Sequence, residues 1–94
     1  MLKLEFTTKF AKDLKLMKAR GYNEDLLWAV VDKLLKEEKL EPKYKDHQLV
    51  NSRNNKNMRE CHIEPDWLLI YRIDENELLL IATATGSHAD LFDM

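Results

Sequence analysis

The chain predicts an α+β fold in the order β-α-α-β-β-β, with a mainly antiparallel sheet packed against an N-terminal helical hairpin. Two observations lead there. Apolar residues recur at helical spacing only in the first half of the chain. Segments rich in apolar, aromatic and β-branched residues crowd the second half. Helices and strands are therefore segregated rather than alternating, which favours α+β over a doubly wound sheet. A length of 94 residues fits one domain over residues 1–94 and no second folded unit.

Each element has its own signal. Leu2, Leu4 and Phe6 alternate with Lys3 and Glu5, the pattern of a short half-buried strand. Thr7 or Thr8 can cap the helix that follows. In it Phe10, Leu14 and Met17 share one face, while Lys9, Lys12, Lys15 and Lys18 wrap the broad exposed side. Gly21, after Arg20, stands where a left-handed C-terminal cap belongs. Asn23 caps a second helix, with Glu24 and Asp25 in its first turn near the positive end of the dipole. Leu27, Trp28, Val31, Leu34 and Leu35 make its apolar stripe, and Pro42 closes the connection. Residues 43–57 are polar, Asn-rich and without periodicity, so they read as a loop. Strands follow at Met58–Ile63, Trp67–Ile73 and Glu77 to about Thr85, separated by turns at Glu64-Pro65-Asp66 and Asp74-Glu75-Asn76. Gly86 breaks the last strand, and Ser87–Met94 form a short tail. There are no internal repeats and no linker.

Composition excludes several classes. Two Gly and two Pro rule out collagen-like and low-complexity chains. One cysteine cannot form an internal disulfide. The longest apolar run, Leu26 to Val31, is six residues, far short of the roughly 20 a membrane span needs. A soluble, cytoplasmic protein is expected. Net charge is −2 and the pI near 5.9, which argues against a protein that coats nucleic acid indiscriminately. The charge is uneven, however. Residues 1–20 and residues 43–59 each carry +4, while residues 74–94 hold five acids and no Lys or Arg. Basic blocks of this kind either hold phosphates or form solvated surface.

Chemistry-bearing residues are few. His47, His62 and His88 stand in no metal-binding pattern, so no metal and no cofactor is expected. Cys61 and His62 are neighbours in a strand and point to opposite faces, so they do not make a thiolate–imidazole pair. Cys61 reads as a small core residue. No phosphate-binding Gly-rich loop or nucleophile elbow is present. What remains is histidine, carboxylate and cation, a set suited to RNA cleavage. The 2′-OH must lose a proton, the leaving 5′-oxygen must gain one, and charge on the phosphorane must be neutralised. Histidine serves either proton role. Asp66 could act as base or orient an imidazole, Arg or Lys would hold phosphate, and Trp67 or Phe92 could stack on a base.

Three segments together carry a resemblance. They are Tyr44-Lys45-Asp46-His47-Gln48-Leu49, then Arg59-Glu60-Cys61-His62-Ile63-Glu64-Pro65-Asp66-Trp67-Leu68-Leu69-Ile70-Tyr71, then Thr85-Gly86-Ser87-His88-Ala89-Asp90-Leu91-Phe92. In order and spacing the chain resembles the YafQ branch of the RelE-like toxins of bacterial type II toxin–antitoxin systems, over essentially its whole length. The resemblance implies a RelE-like microbial RNase fold. It also implies a metal-independent endoribonuclease that enters the A site of the 70S ribosome and cuts translated mRNA. On this basis His88 would be the general acid, Asp66 or His62 the base, and His47 a phosphate contact or a support for the base. Trp67 and Phe92 would position the RNA, with Lys45, Arg59 and Arg72 as further RNA-binding candidates. The implied partner is a cognate antitoxin in a toxin2–antitoxin2 heterotetramer, with operator DNA bound only through the antitoxin and no membrane contact.

One residue departs from the pattern. Members of this branch usually carry Arg immediately before the T-G-[ST]-H segment, and here that position is Ala84. Alanine cannot neutralise the scissile phosphate, and losing one such contact costs roughly 10²–10³ in rate. Ala84 is either an introduced change or the mark of a weakened member in which Arg72 or Arg59 partly substitutes. The alternative reading is a module that keeps the toxin fold, binds antitoxin and represses its operon, but no longer cuts.

Overall fold

A computed structural model of the chain describes residues 1–49 and 57–92. Its elements are β1 (Lys3–Phe6), α1 (Thr8–Ala19), α2 (Glu24–Leu35), a 3-10 turn (Pro42–Tyr44), β2 (His47–Gln48), β3 (Met58–Glu64), β4 (Trp67–Asp74), β5 (Leu79–Gly86) and α3 (His88–Phe92). The strands form one sheet in the order β1-β5-β4-β3-β2. Only the β1–β5 pairing is parallel among the described residues; β5–β4, β4–β3 and β3–β2 are antiparallel.

The caps behave as their chemistry requires. Thr7 Oγ1 accepts the Phe10 N–H at 3.0 Å and donates to the Thr83 carbonyl at 2.7 Å, so the residue that starts α1 also ties it to β5. At the other end Gly21 sits at φ 94°. The Tyr22 N–H reaches the Met17 carbonyl and the Gly21 N–H reaches that of Lys18, a Schellman closure that only a left-handed residue permits cheaply. Asn23 accepts the Asp25 N–H at the head of α2. The Leu2 N–H, just before β1, donates to the Leu35 carbonyl and so satisfies an orphan group at the end of α2.

The two faces of the sheet differ. Phe10, Met17, Leu27, Val30, Val31 and Leu34 pack on Cys61, Trp67, Leu69, Tyr71, Leu80 and Ala82 in one core. Leu68, Ile70 and Ala84 are also buried but lie outside that cluster. They alternate with the core residues and so occupy the opposite face. Cross-strand partners continue this face: Ala84 pairs with Ile70, Ile70 with Glu60, and Glu60 with His47. A register shift between Ile70 and Tyr71 keeps both Ala84 and Ala82 in phase with β4.

Two expectations need correction. The loop expected over residues 43–57 contains the end of a 3-10 turn and a two-residue strand, β2; its residues 50–56 lie outside the described residues. A strand of two residues has no periodicity to read, and its existence depends on pairing with β3. The tail expected after Gly86 opens as a helix, α3, with residues 93 and 94 outside the described residues. Ser87 and Asp90 form a reciprocal cap. The Ser87 N–H donates to Asp90 at 2.9 Å, and the Asp90 N–H donates to Ser87 Oγ at 3.1 Å.

Candidate active site

Three elements bring the chemistry to one edge of the open face. His62 comes from β3, Asp66 from the β3–β4 turn, and His88 and Phe92 from α3. The His62 and His88 ring centroids are 5.6 Å apart, and Phe92 lies 6.5 Å beyond His88. Residues 26 positions apart in the sequence thus share one small volume.

Each imidazole has a carboxylate. Asp66 Oδ1 accepts the His88 backbone N–H at 3.0 Å and its Nδ1–H at 2.7 Å. These two bonds fix the ring and leave Nε2 open to a reacting group. They also hold the Asp66 carboxyl below the usual carboxylate range, the backbone N–H contributing most. Glu60 is the second carboxylate. Its Oε1 lies 3.2 Å from His62 Nε2 and 3.8 Å from His47 Nε2. The Glu60 side chain is 8% exposed, so it exchanges little with water. His62 Nδ1 meets the Pro65 carbonyl at 3.3 Å, which anchors the ring to the same turn that supplies Asp66. Two imidazoles, each held by a carboxylate and set side by side, can remove one proton and deliver another.

His47, Glu60 and His62 also make a possible metal set, with one donor atom from each lying within 4.8 Å of the others. Sequence spacing could not show it, because β2 and β3 supply the ligands across a strand pair. Glu60 itself was not foreseen. Its signal was its place on the same strand face as His62, two residues away.

α3 is braced from outside the site. Arg20, the residue that ends α1, grips Asp90 with both guanidinium nitrogens at 2.6 and 3.2 Å. The hydrogen bond from Arg20 holds the Asp90 carboxyl well below the usual range, with the Ser87 N–H adding to it. Gly86 allows the close approach, since a Cβ there would stand 2.9 Å from that of Asp90. Removing the brace should loosen His88 without touching it. Arg20→Ala is expected to lower kcat by up to about 10²-fold through misplacement of the imidazole, with little change in KM, as measured by single-turnover cleavage.

The other expected residues are scattered over the fold. Trp67 is fully buried, so the expectation that it stacks on RNA is corrected. Its ring packs edge-on against Tyr22 at 5.2 Å, and its Nε1–H donates to Thr85 Oγ1 at 2.9 Å. Thr85 in turn donates to the Leu68 carbonyl at 2.6 Å. Trp67 therefore locks the ends of β4 and β5 that carry Asp66 and His88. Trp67→Ala should cost about 3–5 kcal/mol in a denaturant titration. Arg59 points to the helix face, where it donates to Asp46 at 3.0 and 3.4 Å. The Tyr71 hydroxyl donates to the same carboxylate at 2.5 Å. Arg59 is thus a clamp on the segment leading into His47. Arg72, two residues from Ile70, stands on the site face one row away, and makes no salt bridge among the described residues. Lys45 lies on the loop before β2. Cys61 is buried, and its burial pushes the thiol up, so it offers no nucleophile.

Comparisons with known proteins agree with this geometry. A family described as the bacterial toxin of type II toxin–antitoxin system, YafQ, matches residues 2–93. The mRNA interferase toxin YafQ of Escherichia coli K12 is 37% identical over 90 residues, covering 95% of this chain and 94% of that one. A solved metal-bound toxin from Helicobacter pylori superimposes with a TM-score of 0.90 at 44% identity, covering 98% of this chain and all of the other. The E. coli DinJ–YafQ complex gives 0.86 at 35% identity, over 98% and 99% of the two chains. With the fold, the site segments and nearly every residue accounted for, the chain belongs to the YafQ family of bacterial type II toxin–antitoxin toxins.

Proposed function

We propose that the chain is an mRNA endoribonuclease toxin that works on translated mRNA in the ribosomal A site and needs no metal. The observation that carries this reading is the pair of facing units, His88–Asp66 and His62–Glu60. The name of the E. coli relative, an mRNA interferase, points the same way.

In this reaction the 2′-oxygen attacks the adjacent phosphorus and the bond to the 5′-oxygen breaks. The products are a 2′,3′-cyclic phosphate and a free 5′-hydroxyl. The 2′-OH proton passes to the His62–Glu60 pair, whose 3.2 Å contact lets the two share it. Nε2 of His88 gives a proton to the leaving 5′-oxygen. Asp66 is the poorer base of the alternatives, because a carboxyl held below its usual range binds a proton weakly. Its work is to orient His88. His47 would contact a phosphate oxygen, and Phe92 would support the RNA beside His88. Arg72, which shares the face of Ile70 and Glu60, would supply a cation there.

A metal fits the His47–Glu60–His62 set in chemistry, since imidazole and carboxylate suit zinc and copper. Bound there it would supply a Lewis acid. It would also occupy both imidazoles. Cleavage of translated mRNA is therefore expected to persist in EDTA and to fall when zinc is added. Activity that disappears in EDTA and returns with zinc would refute the metal-free reading.

The DinJ–YafQ complex supports a cognate antitoxin as partner. A toxin2–antitoxin2 heterotetramer, contact with operator DNA through the antitoxin alone, and residence in the cytoplasm where mRNA is translated belong to the same proposal. Among the described residues no helix is long and apolar enough to cross a membrane. Ala84 favours the second reading, a module that binds antitoxin without cutting.

A further inference from the structure

Beside His62 a pocket of about 330 Å³ opens between the 3-10 turn and the end of β3. It has the size of a small-ligand site. Leu26, Ile63 and Pro65 form apolar walls, Tyr44 adds an aromatic ring, and Glu64 lends a carboxylate. Lys43 and Lys45 line it as well, and the Lys43 ammonium lies 5.1 Å from the Tyr44 ring centroid. We propose that this pocket is a nucleotide subsite that takes the base next to the scissile phosphate and selects a base bearing an exocyclic amine over uracil. This rests on the endoribonuclease reading and assigns its specificity.

Position and lining carry it, and the backbone at Lys45 is consistent with it. An enzyme that cuts between two nucleotides must seat one on each side of the phosphate. His62 is both a member of the reacting pair and part of this pocket's wall, so a base seated there lies next to the cut. Apolar walls and one aromatic ring suit a base, cations suit its phosphates, and a carboxylate accepts from the amine of adenine, cytosine or guanine. Uracil offers no amine and would turn carbonyl oxygens toward Glu64.

Lys45 is held at φ 48°, ψ 42°, the left-handed region, where glycine is the relaxed choice and a lysine is strained. Strain of this kind collects at functional sites. A glycine would satisfy the turn, whose closing bond is the Lys45 N–H to the Pro42 carbonyl. What glycine would not supply is the ammonium at the pocket.

Titration of the chain with AMP, CMP and UMP, followed by ¹H–¹⁵N NMR, tests this without requiring catalysis. Expected are shifts at Tyr44, Lys45 and Glu64, with AMP and CMP binding about five- to tenfold more tightly than UMP. Lys45→Gly should weaken all three by about tenfold with its thermal midpoint unchanged within a few degrees. Glu64→Ala should abolish the preference for the amine. Shifts confined to other residues, equal binding of the three nucleotides, or unaltered affinity in Lys45→Gly would overturn the subsite. Failure of the chain to cut translated mRNA would overturn the endoribonuclease reading instead, and the titration would still decide the pocket.

Discussion

His88→Ala is expected to lower the cleavage rate by about 10²–10⁴-fold, the range for losing a positioned general acid, while KM changes little. The ring is 38% exposed and lies on a short helix at the molecular edge, so its removal leaves the core of the sheet intact. A Tm close to that of the unsubstituted chain would separate lost chemistry from lost fold. The pH dependence adds a second readout. The His88 backbone N–H and then its imidazole depress Asp66. A depressed carboxyl contributes fully above its ordinary range, and the contribution is lost only as pH falls through the lowered value. Loss of rate that belongs to Asp66 therefore lies in strong acid, below the usual carboxylate range. In Asp66→Asn that acid loss should be absent, on top of a lowered rate at neutral pH.

Ala84→Arg is expected to raise cleavage by about 10²–10³-fold, the value of one charge-stabilising contact in the transition state. The register makes this specific. Ala84, Ile70, Glu60 and His47 are successive cross-strand partners on one face, with strands roughly 4.8 Å apart. A long side chain at 84 can pass over Ile70 and bring its guanidinium beside the reacting pair. Arg72 stands one row off, and Arg59 is held on the far face by Asp46 and Tyr71. Ala84 is 5% exposed, so the larger side chain should also cost stability, about 1–3 kcal/mol. Cleavage assays paired with thermal melts would read both effects. Equal rates in the two proteins would mean that Arg72 already carries the charge.

How much of this was legible depended on whether the information was local. Thr7, Gly21 and Asn23 announced the ends of both helices because a cap acts within one turn. The three long strands declared themselves through apolar and β-branched runs. β2 did not, because two residues carry no pattern and only the β3 edge makes them a strand. α3 did carry a signal, the Ser87-x-x-Asp90 cap, in a segment otherwise read as tail. The resemblance brought forward His47, His62, Asp66 and His88, but not what joins them. Glu60 between two histidines, Asp66 beneath His88 and Arg20 on Asp90 are contacts over long sequence separations. Trp67 shows the converse. Its residue type suggested a base-stacking surface, and its burial against Tyr22 and Thr85 makes it a lock instead.

The most direct measurement is cleavage of a translated mRNA by three proteins: the chain, Ala84→Arg, and Ala84→Arg with His88→Ala. The His62–Glu60 and His88–Asp66 pairs lead to cleavage by the Ala84→Arg protein, at a rate about 10²–10³-fold above that of the chain, and to near silence once His88 is removed. An Ala84→Arg protein that is folded and binds its antitoxin yet leaves the mRNA intact would contradict the catalytic assignment and leave the antitoxin-binding module in its place.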